Sequence, residues 1–142
     1  MTYLELLRHL GDSLSLAALA AWQADECGLT IDGMAVQLRH LREARQVEIE
    51  AALSHASPLA WDDAAALLAA NFVGAGAADA ICSIGPDGKA RLSMRHSLES
   101  LSGEDFIRLL ERFVARLERR HRPSAATTLQ TAAAVSARWQ GV

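Results

Sequence analysis

Residues 26–53, ECGLTIDGMAVQLRHLREARQVEIEAAL, decide the architecture. Apolar side chains recur at every second position through three consecutive runs: Cys27, Leu29 and Ile31, then Met34, Val36 and Leu38, then Val47, Ile49, Ala51 and Leu53. A period of two is that of a strand with one buried face. Asp32-Gly33 between the first two runs supplies the positive φ angles of a two-residue hairpin turn, and Leu41 to Gln46 is a charged connection. The stretch therefore predicts an antiparallel meander, with Gln37, Arg39, Glu48 and Glu50 on a polar face opposite the apolar one. The apolar face needs a cover, which the flanking helices can provide.

On the N-terminal side, Tyr3, Leu6, Leu7, Leu10 and Leu14 form one helical stripe from Thr2 to about Leu16, with Thr2 and Glu5 at capping-box spacing. Leu4 lies off that stripe. Residues Ser15 to Ala24, which include Trp22, read either as an extension of the helix or as an irregular link. On the C-terminal side, Ser57-Pro58 ends the third strand, and Asp62 and Asp63 open a short helix, Ala64 to Ala70, stopped by Asn71, Gly74 and Gly76. This helix is almost wholly alanine and leucine. An apolar helix without a charged face must be covered on several sides, so a subunit interface is its natural place.

Ala80 to Ile84 and Ala90 to His96 read as a second hairpin around Gly85-Pro86-Asp87-Gly88-Lys89. Ser102 and Asp105 cap a final helix whose buried stripe is Phe106, Leu109, Leu110, Phe113 and Leu117. Its opposite side alternates Arg108, Arg112, Arg116, Arg119 and Arg120 with Glu104, Glu111 and Glu118, as a solvated face does. Pro123 closes it. The order α-β-β-β-α-β-β-α makes an α+β domain over residues 1–122, a twisted antiparallel sheet packed with helices; residues 123–142 read as a loose or weakly helical tail.

With 142 residues, 51% of them hydrophobic, the chain suffices for one core without staples. A formal charge of -3 gives no long-range attraction for nucleic acid or an anionic membrane. No stretch resembles a signal peptide or reaches membrane-spanning length, so a cytoplasmic location is expected. Cys27 and Cys82 sit within strand patterns as small hydrophobes, with no disulfide expected. As a catalytic pair, Cys82 and His96 lack an orienting third group. His9, His40, His55 and His121 lack zinc-site spacing, and Gly74-Ala75-Gly76 lacks the rest of a phosphate loop. No cofactor, metal or catalytic residue is expected.

The collinear set of Leu10-Gly11, Leu14 and Leu16; Cys27-x-Leu29-x-Ile31-Asp32-Gly33; Leu67-Leu68-Ala69-Ala70-Asn71-Phe72; Ile84-Gly85-Pro86-Asp87-Gly88; Leu92; and Leu98-x-x-Leu101 resembles the class I type III secretion chaperones, the Tir chaperone or CesT-like family. The resemblance spans about Leu4 to Arg119. It departs at the last helix, which in that family commonly runs to a Trp and here ends in Arg119-Arg120-His121, and in the longer tail.

The resemblance implies a homodimer in a Gram-negative cytoplasm that holds the N-terminal region of a secreted virulence effector in extended form, without ATP. It implies a dimer interface at Trp61, Ala64, Leu67, Leu68, Asn71, Phe72, Ile81 and Ser83, and effector contacts at Leu4, Leu7, Leu29, Ile31, Met34 and Val36. The alternatives are a regulatory relative, binding another secretion component or a transcriptional regulator, and a small-molecule enzyme, which would need a polar pocket that the sequence does not show.

Overall fold

The computed structural model describes residues 1–15, 25–53, 61–73, 80–121 and 138–140. The readings made on residues 16–24, Ser57-Pro58, His55, the Gly74-Ala75-Gly76 stop and Pro123 lie outside these residues. Among the described residues the elements follow in the order α1 (Tyr3–Ser13), β1 (Glu26–Ile31), β2 (Met34–Leu41), β3 (Gln46–Ala52), α2 (Trp61–Val73), β4 (Ile81–Ile84), β5 (Ala90–Ser97), α3 (Gly103–His121) and β6 (Arg138–Gln140).

The meander forms as its alternation requires. Asp32 and Gly33 take φ of 50° and 79°, the left-handed pair of a tight hairpin, so Ile31 faces Met34 and Leu29 faces Val36. Leu41 pairs with Gln46, which shortens the charged connection to four residues; Arg45, at φ 50°, donates its N–H to the Arg42 carbonyl. The second hairpin closes where Gly85 and Lys89 pair at 2.9 Å and Gly88 adopts φ 74°. All pairings are antiparallel, and the sheet order is β4-β5-β3-β2-β1-β6.

β6 is the departure from expectation. Within a tail read as loose or weakly helical, Arg138–Gln140 pairs with Gly28, Leu29 and Thr30 on the outer edge of β1. Unpaired N–H and C=O groups on a sheet edge attract a further strand, and a three-residue one suffices to cover half of this edge.

Both expected caps are present. The Thr2 hydroxyl accepts from the Glu5 N–H at 3.2 Å while the Thr2 N–H donates to the Glu5 carboxylate at 2.7 Å. The Ser102 hydroxyl accepts from the Asp105 N–H at 3.1 Å. Helices α1 and α3 cover one sheet face. Leu6, Leu7 and Leu10 meet Phe106, Phe113 and Leu117 over Leu29, Leu38, Ile49 and Leu92, all essentially inaccessible. Each such side chain contributes about 1.5–3 kcal/mol by leaving water. Gly103 lets the two helices close up, because a Cβ there would overlap the His9 ring. Cys27 and Cys82 are buried free thiols, and burial pushes the Cys27 thiol up to about 12.

The other face is polar and carries a ladder of alternating charge across four strands. Arg39 pairs with Glu26 at 2.8 Å and Glu48 at 3.2 Å, and Arg95 reaches Glu48 at 2.7 Å. Glu48 lies on the polar side by parity, yet its side chain is only 5% exposed, because the two arginines enclose it. Arg91 joins Glu50 at 2.9 Å, extending the pairing toward β4.

Candidate partner-binding surfaces

Among the described residues, two apolar surfaces stand out. The first is a cleft of about 230 Å³ where α1, the end of β1 and α3 converge, with Leu10, Leu14, Ile31, Ile107, Leu110 and Val114 as its floor. Asp32, Glu111 and Glu118 stand at its rim, with no Lys or Arg among its lining residues. α1 ends at Ser13, and Leu14, just beyond the helix end, is half-buried and lines the cleft.

The second surface lies on α2 and β4, at the opposite edge of the sheet. Trp61 is 84% exposed, Leu68 47% and Ile81 56%. Large apolar groups grouped like this on neighbouring elements mark an interaction site. The two elements are fastened to one another by Asn71, whose side-chain NH₂ donates to the Cys82 carbonyl at 2.6 Å and whose oxygen accepts from the Cys82 N–H at 2.8 Å. One side chain thus completes both backbone groups of a β4 residue, as a neighbouring strand would.

The residues named for the dimer interface divide accordingly. Trp61, Leu68, Ile81 and Ser83 are exposed and Leu67 is half-buried, whereas Ala64, 8% exposed, is buried in its own protomer and Asn71 is engaged within the chain. The Phe72 side chain lies outside the described residues. Of the effector-contact residues, Leu4 is exposed at 41%, Met34 is half-buried, and Ile31 lines the cleft. Leu7, Leu29 and Val36 belong to the core instead, at 0–2% exposure, because they lie on the sheet and helix faces that α1, α3 and β1–β3 present to one another.

Sequence reading missed the α3 half of the cleft. Ile107 and Val114 flank the core stripe at helical spacing, and that off-stripe position was the available signal. It also missed β6, although Val135-Ser136-Ala137-Arg138-Trp139-Gln140 alternates apolar and polar residues with the period of a strand.

A further recess, of about 460 Å³, lies beside the N-terminus, with Glu5, His40, Arg42, Arg45 and Glu99 among its lining residues. Tyr3 stacks on His40 there at 4.7 Å, and His40 Nδ1 sits 3.2 Å from Asp25, which Arg42 grips at 2.7 and 2.8 Å. The Arg42 hydrogen bond holds the Asp25 carboxyl below the usual carboxylate range. These contacts tie α1 to the start of β1 and the end of β2.

The two residues weighed as a catalytic pair stay apart. Cys82 faces Leu92 across the β4–β5 pair, which leaves His96 four residues further along β5, about 13 Å away at ~3.3 Å per residue. Among the described residues no group of His, Cys, Asp and Glu could hold a metal ion, and no helix is long and apolar enough to cross a membrane. What the surfaces can do is bind: one by an apolar cleft, one by a flat apolar edge.

The profile of the Tir chaperone protein (CesT) family matches residues 5–120. No curated protein sequence matches the chain. Among solved structures, a chain of the ExsC-ExsE complex is 21% identical and has a TM-score of 0.75, covering 89% of this chain and 100% of its own. A chain of the HopA1-SchA chaperone-effector complex is 15% identical at TM-score 0.64, with 84% and 92% covered. The Yersinia pestis type III secretion chaperone SycH in complex with a stable fragment of YscM2 gives 16% identity and TM-score 0.60, with 83% and 98% covered. At such identities the likeness is one of fold.

Proposed function

The chain belongs to the Tir chaperone protein (CesT) family, and from that membership we propose that it is a type III secretion chaperone, a binding protein and not an enzyme, working as a homodimer in the cytoplasm. Its partner is the N-terminal region of a secreted effector, held in extended form and kept competent for export without ATP.

The observation that carries this reading is the family match over residues 5–120. The structure adds support in two places. The cleft under α1 and α3 is apolar and open, suited to side chains of a segment that has not folded. The exposed Trp61, Leu68 and Ile81 need a cover, and a second copy of α2 and β4 is the cover that the chain itself can supply. A segment bound by side-chain insertion and edge pairing stays extended, as passage through a narrow channel demands.

The test is a pull-down from secreting cells followed by mass spectrometry, with Leu4→Glu and Leu14→Glu chains in parallel. We expect a secreted protein to be recovered, contacting the chaperone through its N-terminal region, and both variants to recover at least fivefold less while eluting at the wild-type size. Capture of a natively folded partner, or of none, would overturn the reading; undiminished capture by both variants would remove α1 and the cleft from the site.

A further inference from the structure

The sequence contains two Asp-Gly pairs, Asp32-Gly33 and Asp87-Gly88, each in the connection of a β-hairpin. Such a pair can react with itself, because glycine has no side chain to shield its nitrogen from the carboxyl group of the residue before it. The two turns hold their reacting groups very differently.

At the second turn both groups are engaged. The Gly88 N–H donates to the Gly85 carbonyl at 2.9 Å. One carboxylate oxygen of Asp87 accepts from the Lys89 N–H at 3.1 Å, and the other accepts from Arg91 at 3.4 Å. The Lys89 N–H and the Arg91 charge hold this carboxyl below the usual carboxylate range, in the ionised form that resists attack. At the first turn, among the described residues, neither the Asp32 carboxylate nor the Gly33 N–H has a hydrogen bond or an ion pair. Both residues are exposed, and a Cβ built on Gly33 would meet nothing within 4 Å. Asp32 also sits at φ 50°, a left-handed conformation unfavourable to a residue with a Cβ. Its position gives the difference a consequence. Asp32 lines the cleft together with Ile31, Leu10 and Leu14, and the two-residue length of its turn sets Ile31 opposite Met34.

We propose that Asp32-Gly33 is a modification site, converting spontaneously to isoaspartate at the mouth of the cleft, and that the conversion weakens partner capture. When the turn opens locally, the Gly33 nitrogen bonds to the side-chain carboxyl carbon of Asp32. The N–H proton and the carboxyl OH leave together as water, and a cyclic imide closes. Water then adds to either ring carbonyl and breaks the bond from that carbon to nitrogen. Addition at the side-chain carbonyl restores aspartate. Addition at the main-chain carbonyl leaves the chain running through the side-chain carbon, one methylene longer, with a free carboxylate on Cα. No oxidant, reductant or enzyme enters, and the mass of the chain is unchanged. The lengthened turn no longer matches the two-residue connection that fixes Ile31 against Met34, so Ile31 loses its place in the cleft floor. The effect on capture rests on the chaperone reading; the conversion does not.

The wild-type chain suffices for the test. It is aged in warm neutral buffer, digested, and read by mass spectrometry with electron-transfer fragmentation, which separates isoaspartate from aspartate at each position. We expect isoaspartate at position 32 to accumulate at least tenfold faster than at position 87 in the folded chain, and at similar rates at both in guanidinium chloride. No isoaspartate at position 32, or equal rates in the folded chain, would overturn the site. A difference that persists in denaturant would overturn its origin in the two turns. For the second half, the aged chain should recover at least threefold less partner from secreting cells than the fresh chain. Treatment with an isoaspartyl methyltransferase and its methyl donor, which returns isoaspartate to aspartate, should restore the recovery. Capture undiminished by ageing, or a loss that this repair leaves in place, overturns the effect on the cleft. Failure of the fresh chain to capture any partner counts against the chaperone reading instead, and the mass spectra still decide the modification.

Discussion

At the scale of single residues, the fold depends on polar groups that serve backbone and charge rather than chemistry. Asn71 satisfies both main-chain groups of Cys82 at 2.6 and 2.8 Å, from a helix to an edge strand. Asn71→Leu keeps the volume and leaves a buried N–H and C=O without partners, each a loss of about 1–3 kcal/mol before water repairs part of it. The expected outcome is a destabilisation of about 2 kcal/mol in urea unfolding, with faster amide exchange at Cys82; an unchanged midpoint would mean that water serves the strand equally well. Sequence alone read Asn71 as a helix stop, because a capping residue and a cross-element clamp look the same in one dimension. Glu48 shows the same limit. Strand parity places it correctly on the polar face, but its burial comes from Arg39 and Arg95 on neighbouring strands, and only the register brings these to it. Leu7, Leu29 and Val36 show the converse: their inward parity was legible, and that same parity keeps them from a partner.

At the scale of elements, legibility followed the quality of the amphipathic pattern. The meander, the two capped helices α1 and α3 and the second hairpin were all readable, since each presents one buried face with a clean period or a turn with a forced φ. α2 lacks such a face. Its apolar composition predicts cover on several sides, whereas among the described residues it touches chiefly β4 and leaves Trp61 and Leu68 in solvent. That mismatch motivates the dimer. Since Leu68 is half exposed in the protomer, Leu68→Asp should leave each protomer folded while placing a charge in the contact between copies, a change worth several kcal/mol where the site is desolvated. Light scattering at micromolar concentration should report a dimer for the wild type and a monomer for the variant, with unchanged circular dichroism. A monomeric wild type would sink the assignment of this surface to a second copy. The cleft was harder to read for a geometric reason: Leu14, Ile31 and Ile107 come from three separate segments, and no local pattern joins them.

At the scale of the whole molecule, charge and apolar surface make different demands on a partner, and salt tells them apart. The chain is acidic overall, at -3, and the cleft has carboxylates at its rim over an apolar floor. The arginines of the sheet face are spent on Glu26, Glu48 and Glu50, and Arg108 lies 3.8 Å from both Glu104 and Asp105. Little of this field is organised to hold an anion, so binding should rest on apolar burial and main-chain pairing. A protein making several phosphate contacts loses roughly a thousandfold or more in affinity between 50 and 200 mM salt. The captured effector segment should lose less than about threefold over the same range, and its binding should show a negative heat-capacity change, the mark of apolar area leaving water. Titration calorimetry of the purified pair measures both quantities. A steep salt dependence with no heat-capacity change would place the energy in ion pairs, and would exclude the cleft as the source of affinity. The bound segment should also gain amide-exchange protection only where it pairs or inserts, and no cooperative unfolding transition of its own. A segment that melts as an independent domain while bound would mean that the protein stores its partner folded, which a cleft of about 230 Å³ is not built to do.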